Sequence, residues 1–128
     1  MILLDEMLWQ ATSGIYSFEL VDEENVTVEA SQINSLSLSY YDWSDGTIIN
    51  NRQNQNVLNA NDVELITPPA LPLVTTLSWL IQPEDTVILH PTQPWEIHVA
   101  VWRWSWAGLL RHGAHQMAFG VRTLLYTP

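Results

Sequence analysis

Alternation with a period of two residues runs through this chain and decides its fold class. In Ile33-Asn34-Ser35-Leu36-Ser37-Leu38-Ser39-Tyr40-Tyr41, the side chains of Leu36, Leu38 and Tyr40 fall on one face and the serines on the other. That is the pattern of a half-buried antiparallel strand. Ile15 to Leu20 alternates in the same way, with Tyr16, Phe18 and Leu20 on one side. The longest such run is Glu96 to Trp106. There Ala100, Trp102, Trp104 and Trp106 share a face, while Val99, Val101, Arg103 and Ser105 share the other. A loop around Gly108 follows, and His115 to Leu124 is predicted to return as the closing strand. The glycines at 108, 113 and 120 predict turns and a bulge in that hairpin.

Turn chemistry separates the remaining pieces. Asp42-Trp43-Ser44-Asp45-Gly46 ends in a residue that tolerates positive φ, and Thr47-Ile48-Ile49 resumes extended chain, so residues 33–49 read as a hairpin. Val26-Thr27-Val28 is a short β-branched piece after the acidic turn Asp22-Glu23-Glu24-Asn25. The Asn- and Gln-rich stretch Asn50 to Asp62 is predicted to be a loop with one helical turn. Val63 to Ile66 and Thr75 to Ile81 read as further strands, ended by Pro68 and Pro83.

About seven or eight short strands at near-regular spacing predict an all-β chain, specifically an immunoglobulin-like antiparallel β-sandwich. A barrel would call for more even strands. The predicted sandwich spans residues 14–128. Residues 1–13 form an N-terminal arm whose apolar Leu3, Leu4, Met7 and Leu8 are expected to dock on a partner rather than join the core.

The charge is lopsided in a way that bears on partners. The 128 residues carry 14 acidic and 4 basic groups, a formal net charge of −10. Eleven of the acids and one arginine lie in residues 1–64, so the first half holds the whole net charge. Three acids and three arginines balance in the second half, which also holds five of the seven tryptophans. So acidic a chain is not expected to bind nucleic acid, whose phosphates call for clustered Lys and Arg, or an anionic membrane surface. With no cysteine, disulfides, thiolate nucleophiles and Cys-based zinc sites are excluded. Met1-Ile2-Leu3-Leu4-Asp5-Glu6 lacks the basic start of a secretory leader, and no run approaches the ~20 apolar residues of a membrane span.

Candidate chemistry is thin. His112 and His115 are three apart and face opposite sides of a strand. Sharing a metal between them and His98 would need a bulge at Gly113. Asp42, Asp45 and Gly46 read as an Asx-type turn rather than a calcium loop, which needs alternating ligands and a terminal Glu. The pairs Glu23-Glu24 and Glu84-Asp85 fall in predicted turns, where open solvent leaves a carboxylate unsuited to acid catalysis. No nucleophile elbow or phosphate-cradling Gly-rich loop is present. No catalytic residue, cofactor or metal is expected. Trp102, Trp104 and Trp106 read as core. Trp9, Trp43 and Trp95 fall in loops or the arm, where aromatic side chains suit contact with a partner.

Several linked stretches carry a resemblance. The run Ile33 to Tyr41, then Asp42-x-x-x-Gly46-Thr47-Ile48-Ile49-Asn50, then Val57-Leu58-Asn59-Ala60-Asn61 resembles small Ig-like proteins encoded among the structural genes of tailed bacteriophages. The likeness continues through Leu77-Ser78-Trp79-x-x-Gln82-Pro83-x-Asp85 and His98-Val99-Ala100-Val101-Trp102-x-Trp104-Ser105-Trp106, covering roughly residues 14–126. Arg103 departs from it, standing where such strands often carry an acid, and His112 and His115 are additional. The resemblance implies a non-enzymatic virion component, assembled in the host cytoplasm, with no catalytic residue to carry over. The leading expectation is a capsid decoration or cement protein that binds the major capsid protein or other virion structural proteins, with a second copy of the chain as another candidate partner. A neck, tail-adaptor or baseplate component is the alternative within that class; a carbohydrate-binding host-attachment module is the alternative outside it. The residues expected to meet a partner are Leu3, Leu4, Leu8, Trp9, Trp43 and Trp95.

Overall fold

The computed structural model of the chain describes residues 6–9, 12, 14–21, 24, 26–28, 32–57, 76–108 and 111–123. Seven strands lie among them: β1 (Glu6–Trp9), β2 (Gly14–Glu19), β3 (Ile33–Asp42), β4 (Gln55–Asn56), β5 (Thr76–Ile81), β6 (Trp95–Trp106) and β7 (Arg111–Arg122). One 3-10 turn, Pro83–Asp85, follows β5. Five strands form one sheet in the order β1-β7-β6-β3-β4, and β2 pairs with β5 in a second. Every pairing is antiparallel except β1 with β7, which is parallel. The chain is all-β, as its alternation predicts.

Register converts the alternation into a core. Leu36, Leu38 and Tyr40 of β3 stand opposite Trp104, Trp102 and Ala100 of β6, and all six are buried. The two-stranded sheet closes over this face through aromatic side chains. Phe18 of β2 lies 5.1 Å from Trp102 and 6.1 Å from Trp104. Trp79 of β5 meets Tyr40 edge-on at 5.3 Å, Trp102 at 5.5 Å and Phe119 of β7 at 5.8 Å. Pairs of this geometry contribute about 0.5–1.5 kcal/mol each beyond the area they bury.

Four expectations change. Residues 6–9 are not a free arm: β1 is an edge strand paired with β7 from Glu6↔Phe119 to Trp9↔Arg122, and Leu8 belongs to the core cluster. Leu8 therefore has an internal use. No bulge interrupts β6 and β7, whose register runs unbroken from Trp95↔Arg122 to Trp106↔Arg111; the irregularity falls instead between Ile33 and Ser35 of β3. Gly113 has a different purpose. It lies directly across from Trp104, whose indole occupies the space a Cβ would take. The loop expected over residues 50–62 holds a short strand: after turns with Asn50, Asn51 and Asn54 at positive φ, the two-residue β4 pairs with β3, and residues 58–62 lie outside the described residues. The closing strand begins at Arg111, four residues before the expected His115. The predicted strand at 63–66 lies outside the described residues. No helix among the described residues is long and apolar enough to cross a membrane.

Candidate functional site

One end of the β3–β6 ladder gathers a cluster of polar and ionisable groups. At Asp42 the chain leaves β3 through a tight turn, in which the Gly46 amide donates to the Asp42 carbonyl (2.9 Å) and the Asp42 amide to the Thr47 carbonyl (2.8 Å). Gly46 sits at φ +76°, the conformation for which its position calls. The Trp43 amide donates to the Ile97 carbonyl at 2.9 Å, holding the turn against β6. On the other side, the segment before β6 is tied down by Glu96. The carboxylate of Glu96 accepts from the amides of Leu89 (3.0 Å) and His90 (2.8 Å). Thr123 completes the anchoring, its amide donating to the Pro94 carbonyl and its hydroxyl to the Gln93 carbonyl.

These two anchored segments present the large exposed aromatics. Trp43 is 51% exposed and Trp95 42%. They share a groove of about 360 Å³ that is also walled by Ser44, Gln93, Pro94 and Ile97 and reaches Glu96. Backbone hydrogen bonds fix the segments that carry both tryptophans, so little main-chain ordering entropy remains to be lost when something covers them.

Behind the groove lies a buried polar chain. The Glu96 carboxylate meets His98 Nε2 at 2.6 Å, and His98 Nδ1 meets the Tyr40 hydroxyl at 3.2 Å. All three side chains are buried. With the proton on Nε2, the neutral imidazole donates to Glu96 and accepts from Tyr40, so every group is satisfied. Burial, and then the negative charge of Asp85, pushes the Tyr40 hydroxyl well above the ordinary tyrosine range, which keeps it a donor.

A cluster of possible ligating groups borders this chain. Asp42, His90 and Glu96 bring ligand atoms within 4.8 Å of one another. His90 Nε2 lies 3.5 Å from Asp42 Oδ2 and 3.5 Å from Asp45 Oδ2. Asp42 does make the expected Asx turn, its Oδ1 accepting from the Ser44 amide at 2.8 Å. Its carboxylate is nonetheless buried, and Oδ2 has no hydrogen-bond partner. The hydrogen bond from the Thr47 amide, with a smaller effect of His90, lowers the exposed Asp45 carboxyl below its ordinary value.

A second buried charge lies on the neighbouring loop. Arg52 and Asp85 are both fully buried and form a bidentate pair, Nε to Oδ1 at 2.6 Å and Nη2 to Oδ2 at 3.0 Å. Asp85 also accepts from Asn50 Nδ2 (2.9 Å) and the Gln82 amide (2.9 Å), while Arg52 Nη1 donates to Gln55 Oε1 (2.7 Å). The guanidinium stacks 5.7 Å from the centre of Trp79. The reading of Glu84-Asp85 as an open, solvated turn is therefore corrected for Asp85. The 3-10 turn aims it inward at Arg52, and only Glu84 faces solvent.

Of the six residues expected to meet a partner, Trp43 and Trp95 come together. Leu8 is 9% exposed and packs in the core, so it is not available. Trp9 sits in β1 opposite Arg122; Leu3 and Leu4 lie outside the described residues. The three histidines weighed for a metal are dispersed: His98 is buried beside Tyr40, His112 is exposed on β7, and His115 stacks on Phe18 at 4.6 Å. Sequence reasoning missed Arg52–Asp85 and the Asp42–His90–Glu96 cluster. Comparison of the chain with protein-family models, with curated proteins and with solved structures finds no match.

Proposed function

We propose that this protein is a non-enzymatic, immunoglobulin-like structural component of a tailed-phage virion, which docks on neighbouring subunits through the Trp43–Trp95 groove as a capsid decoration or cement protein. The observation that carries the docking part is the pair of exposed tryptophans around one apolar groove, held by backbone hydrogen bonds on adjacent segments. Tryptophan is enriched among the residues that dominate binding energy at protein interfaces, and truncating such an anchor costs about 2 kcal/mol or more. The virion assignment rests on the resemblance over roughly residues 14–126.

Purified particles supply the test. The chain should be present in fixed stoichiometry, and W43A and W95A should each lower its occupancy on particles stripped and re-bound while leaving the thermal transition in place. Absence from particles would overturn the virion assignment. Full occupancy by both variants would overturn the groove as the docking surface. A copy number matching the capsid lattice supports decoration, and one matching a portal or tail ring supports a neck, adaptor or baseplate position.

A second reading is favoured by the same groove: two tryptophan faces at a concave surface also suit the apolar faces of sugar rings. Glycan binding would quench or shift tryptophan fluorescence on titration with host-surface oligosaccharides and would be lost in W43A and W95A.

A further inference from the structure

We propose that Asp42, His90 and Glu96 form a binding site for a zinc-type divalent cation, with Asp45 at its rim. Four observations converge on it. First, the distances suit a shared ion better than direct bonding. At 3.5 Å, His90 Nε2 is too far from Asp42 Oδ2 and Asp45 Oδ2 for a good hydrogen bond. Bonds of about 2.0–2.2 Å from zinc to nitrogen and oxygen span a tetrahedral edge of about 3.4 Å, close to the separation of His90 from Asp42 and Asp45, with Glu96 within 4.8 Å of His90 and Asp42.

Second, Asp42 Oδ2 is a buried carboxylate oxygen with no hydrogen-bond partner, on a side chain 1% exposed, and it points at His90. A carboxylate buried without a full set of partners is costly unless something positive completes it. Third, the candidate ligands are already held in place. Ser44 fixes Asp42 Oδ1 and reaches His90 Nε2 at 3.4 Å, and both oxygens of Glu96 are oriented by the Leu89 and His90 amides and by His98, backed by Tyr40. Outer partners of this kind orient metal ligands and raise their basicity.

Fourth, access and donor type agree. The His90 side chain is 31% exposed and that of Asp45 46%, so the cluster opens to solvent on one side. One imidazole with carboxylates favours zinc over magnesium or calcium, which take oxygen donors in larger shells. Nor does the charge oppose it: three carboxylates, Asp42, Asp45 and Glu96, gather around His90 and His98. An ion there would bridge the turn carrying Trp43 to the segment leading into Trp95. The site goes beyond the docking reading and does not depend on it, since its test uses no partner.

The experiment is titration of the full-length chain with Zn²⁺, by calorimetry and by competition with a chromophoric chelator, followed by Co²⁺ substitution. One saturable site per chain is expected, with visible absorption of a tetrahedral cobalt ion. H90Q and D42N should each weaken binding by more than the roughly 10–100-fold that loss of an outer partner costs, while H112A, which removes an exposed histidine elsewhere, leaves affinity unchanged. Because D42N also disturbs a buried turn, H90Q at the half-exposed rim carries the test if D42N does not fold. No saturable binding, or affinity indifferent to H90Q, would overturn the proposal. So would equal weakening by H112A, which would mean scattered surface histidines.

Discussion

Removing both partners of the Arg52–Asp85 pair should cost no more than removing one. R52M leaves the Asp85 carboxylate fully buried with Asn50 Nδ2 and the Gln82 amide as its only donors among the four it has now. D85N leaves a buried guanidinium with no counter-charge, keeping only the remaining amide oxygen at position 85 and Gln55 as acceptors. An uncompensated buried charge costs about 3–5 kcal/mol. Total stability for a domain of this size is about 5–15 kcal/mol. Each single variant therefore loses a large share of it, and its thermal midpoint should fall by roughly 10–25 °C. In R52M/D85N no charge remains buried. What is lost is a few hydrogen bonds and the guanidinium–Trp79 contact, about 1 kcal/mol each. The double variant should be about as stable as the better single, giving a coupling about as large as a single loss, roughly 3–5 kcal/mol. Urea midpoints read from tryptophan fluorescence on all four proteins measure this directly. Single losses that simply add in the double variant would refute the reasoning, as would singles within about 0.5 kcal/mol of the parent.

Three further outcomes follow from the packing. G113A puts a methyl group under 3.0 Å from Nε1, Cε2 and Cζ2 of the buried Trp104 indole. It should destabilise by at least about 1–3 kcal/mol, and G113A/W104F should recover part of that loss in chemical denaturation. Leu8 lies in the core and β1 pairs with β7, so L8A should cost about 2–3 kcal/mol, the low end for a buried leucine. Deleting residues 1–12 should then lower the thermal midpoint by more than L8A does; an unchanged midpoint would mean that β1 adds nothing to stability. Ala107 sits at φ +54°, where a Cβ is unfavourable by about 1–2 kcal/mol. A107G should therefore raise stability by about 0.5–1 kcal/mol in the same assay, after allowance for glycine's greater unfolded-state entropy.

The strands were legible because two-residue periodicity is a local signal. Serine–leucine alternation in β3 and the tryptophans of β6 each specify a buried face without knowledge of the partner strand, and the observed faces agree with both. Gly113 was misread because its reason is not local. A glycine in a strand signals either a bulge or a close approach, and only the register that sets it opposite Trp104 distinguishes them. The arm was misread for the same cause. Whether Leu8 packs inside depends on β7 offering a free edge more than a hundred residues later, a fact that no window of sequence contains.

The polar end of the sheet shows how far a local pattern reaches when it is carried to its limit. The inward parity of β3 does not stop at Tyr40; the next inward position is Asp42. The parity of Trp102 and Ala100 in β6 continues to His98 and Glu96. Asp42 stands opposite His98 in the ladder, so the inner face passes from Leu36–Trp104 and Leu38–Trp102, through Tyr40–Ala100, to a pair of ionisable groups. Carried past Tyr40 and Ala100, where turn chemistry and proline close the strands in the sequence, the alternation puts Asp42, Glu96 and His98 on the buried side, where ionisable groups are rare unless paired or bound to a metal. It could not supply His90, which comes from an irregular segment with no periodicity. Nor could it pair Arg52 with Asp85, since both lie in turns, where composition alone points to solvent. The face is apolar where it meets β2 and β5, and its ionisable groups gather beside Trp43 and Trp95. Scaffold and candidate site are thus two ends of one pattern, and the change from leucine and tryptophan to aspartate, glutamate and histidine at constant parity marks the boundary between them.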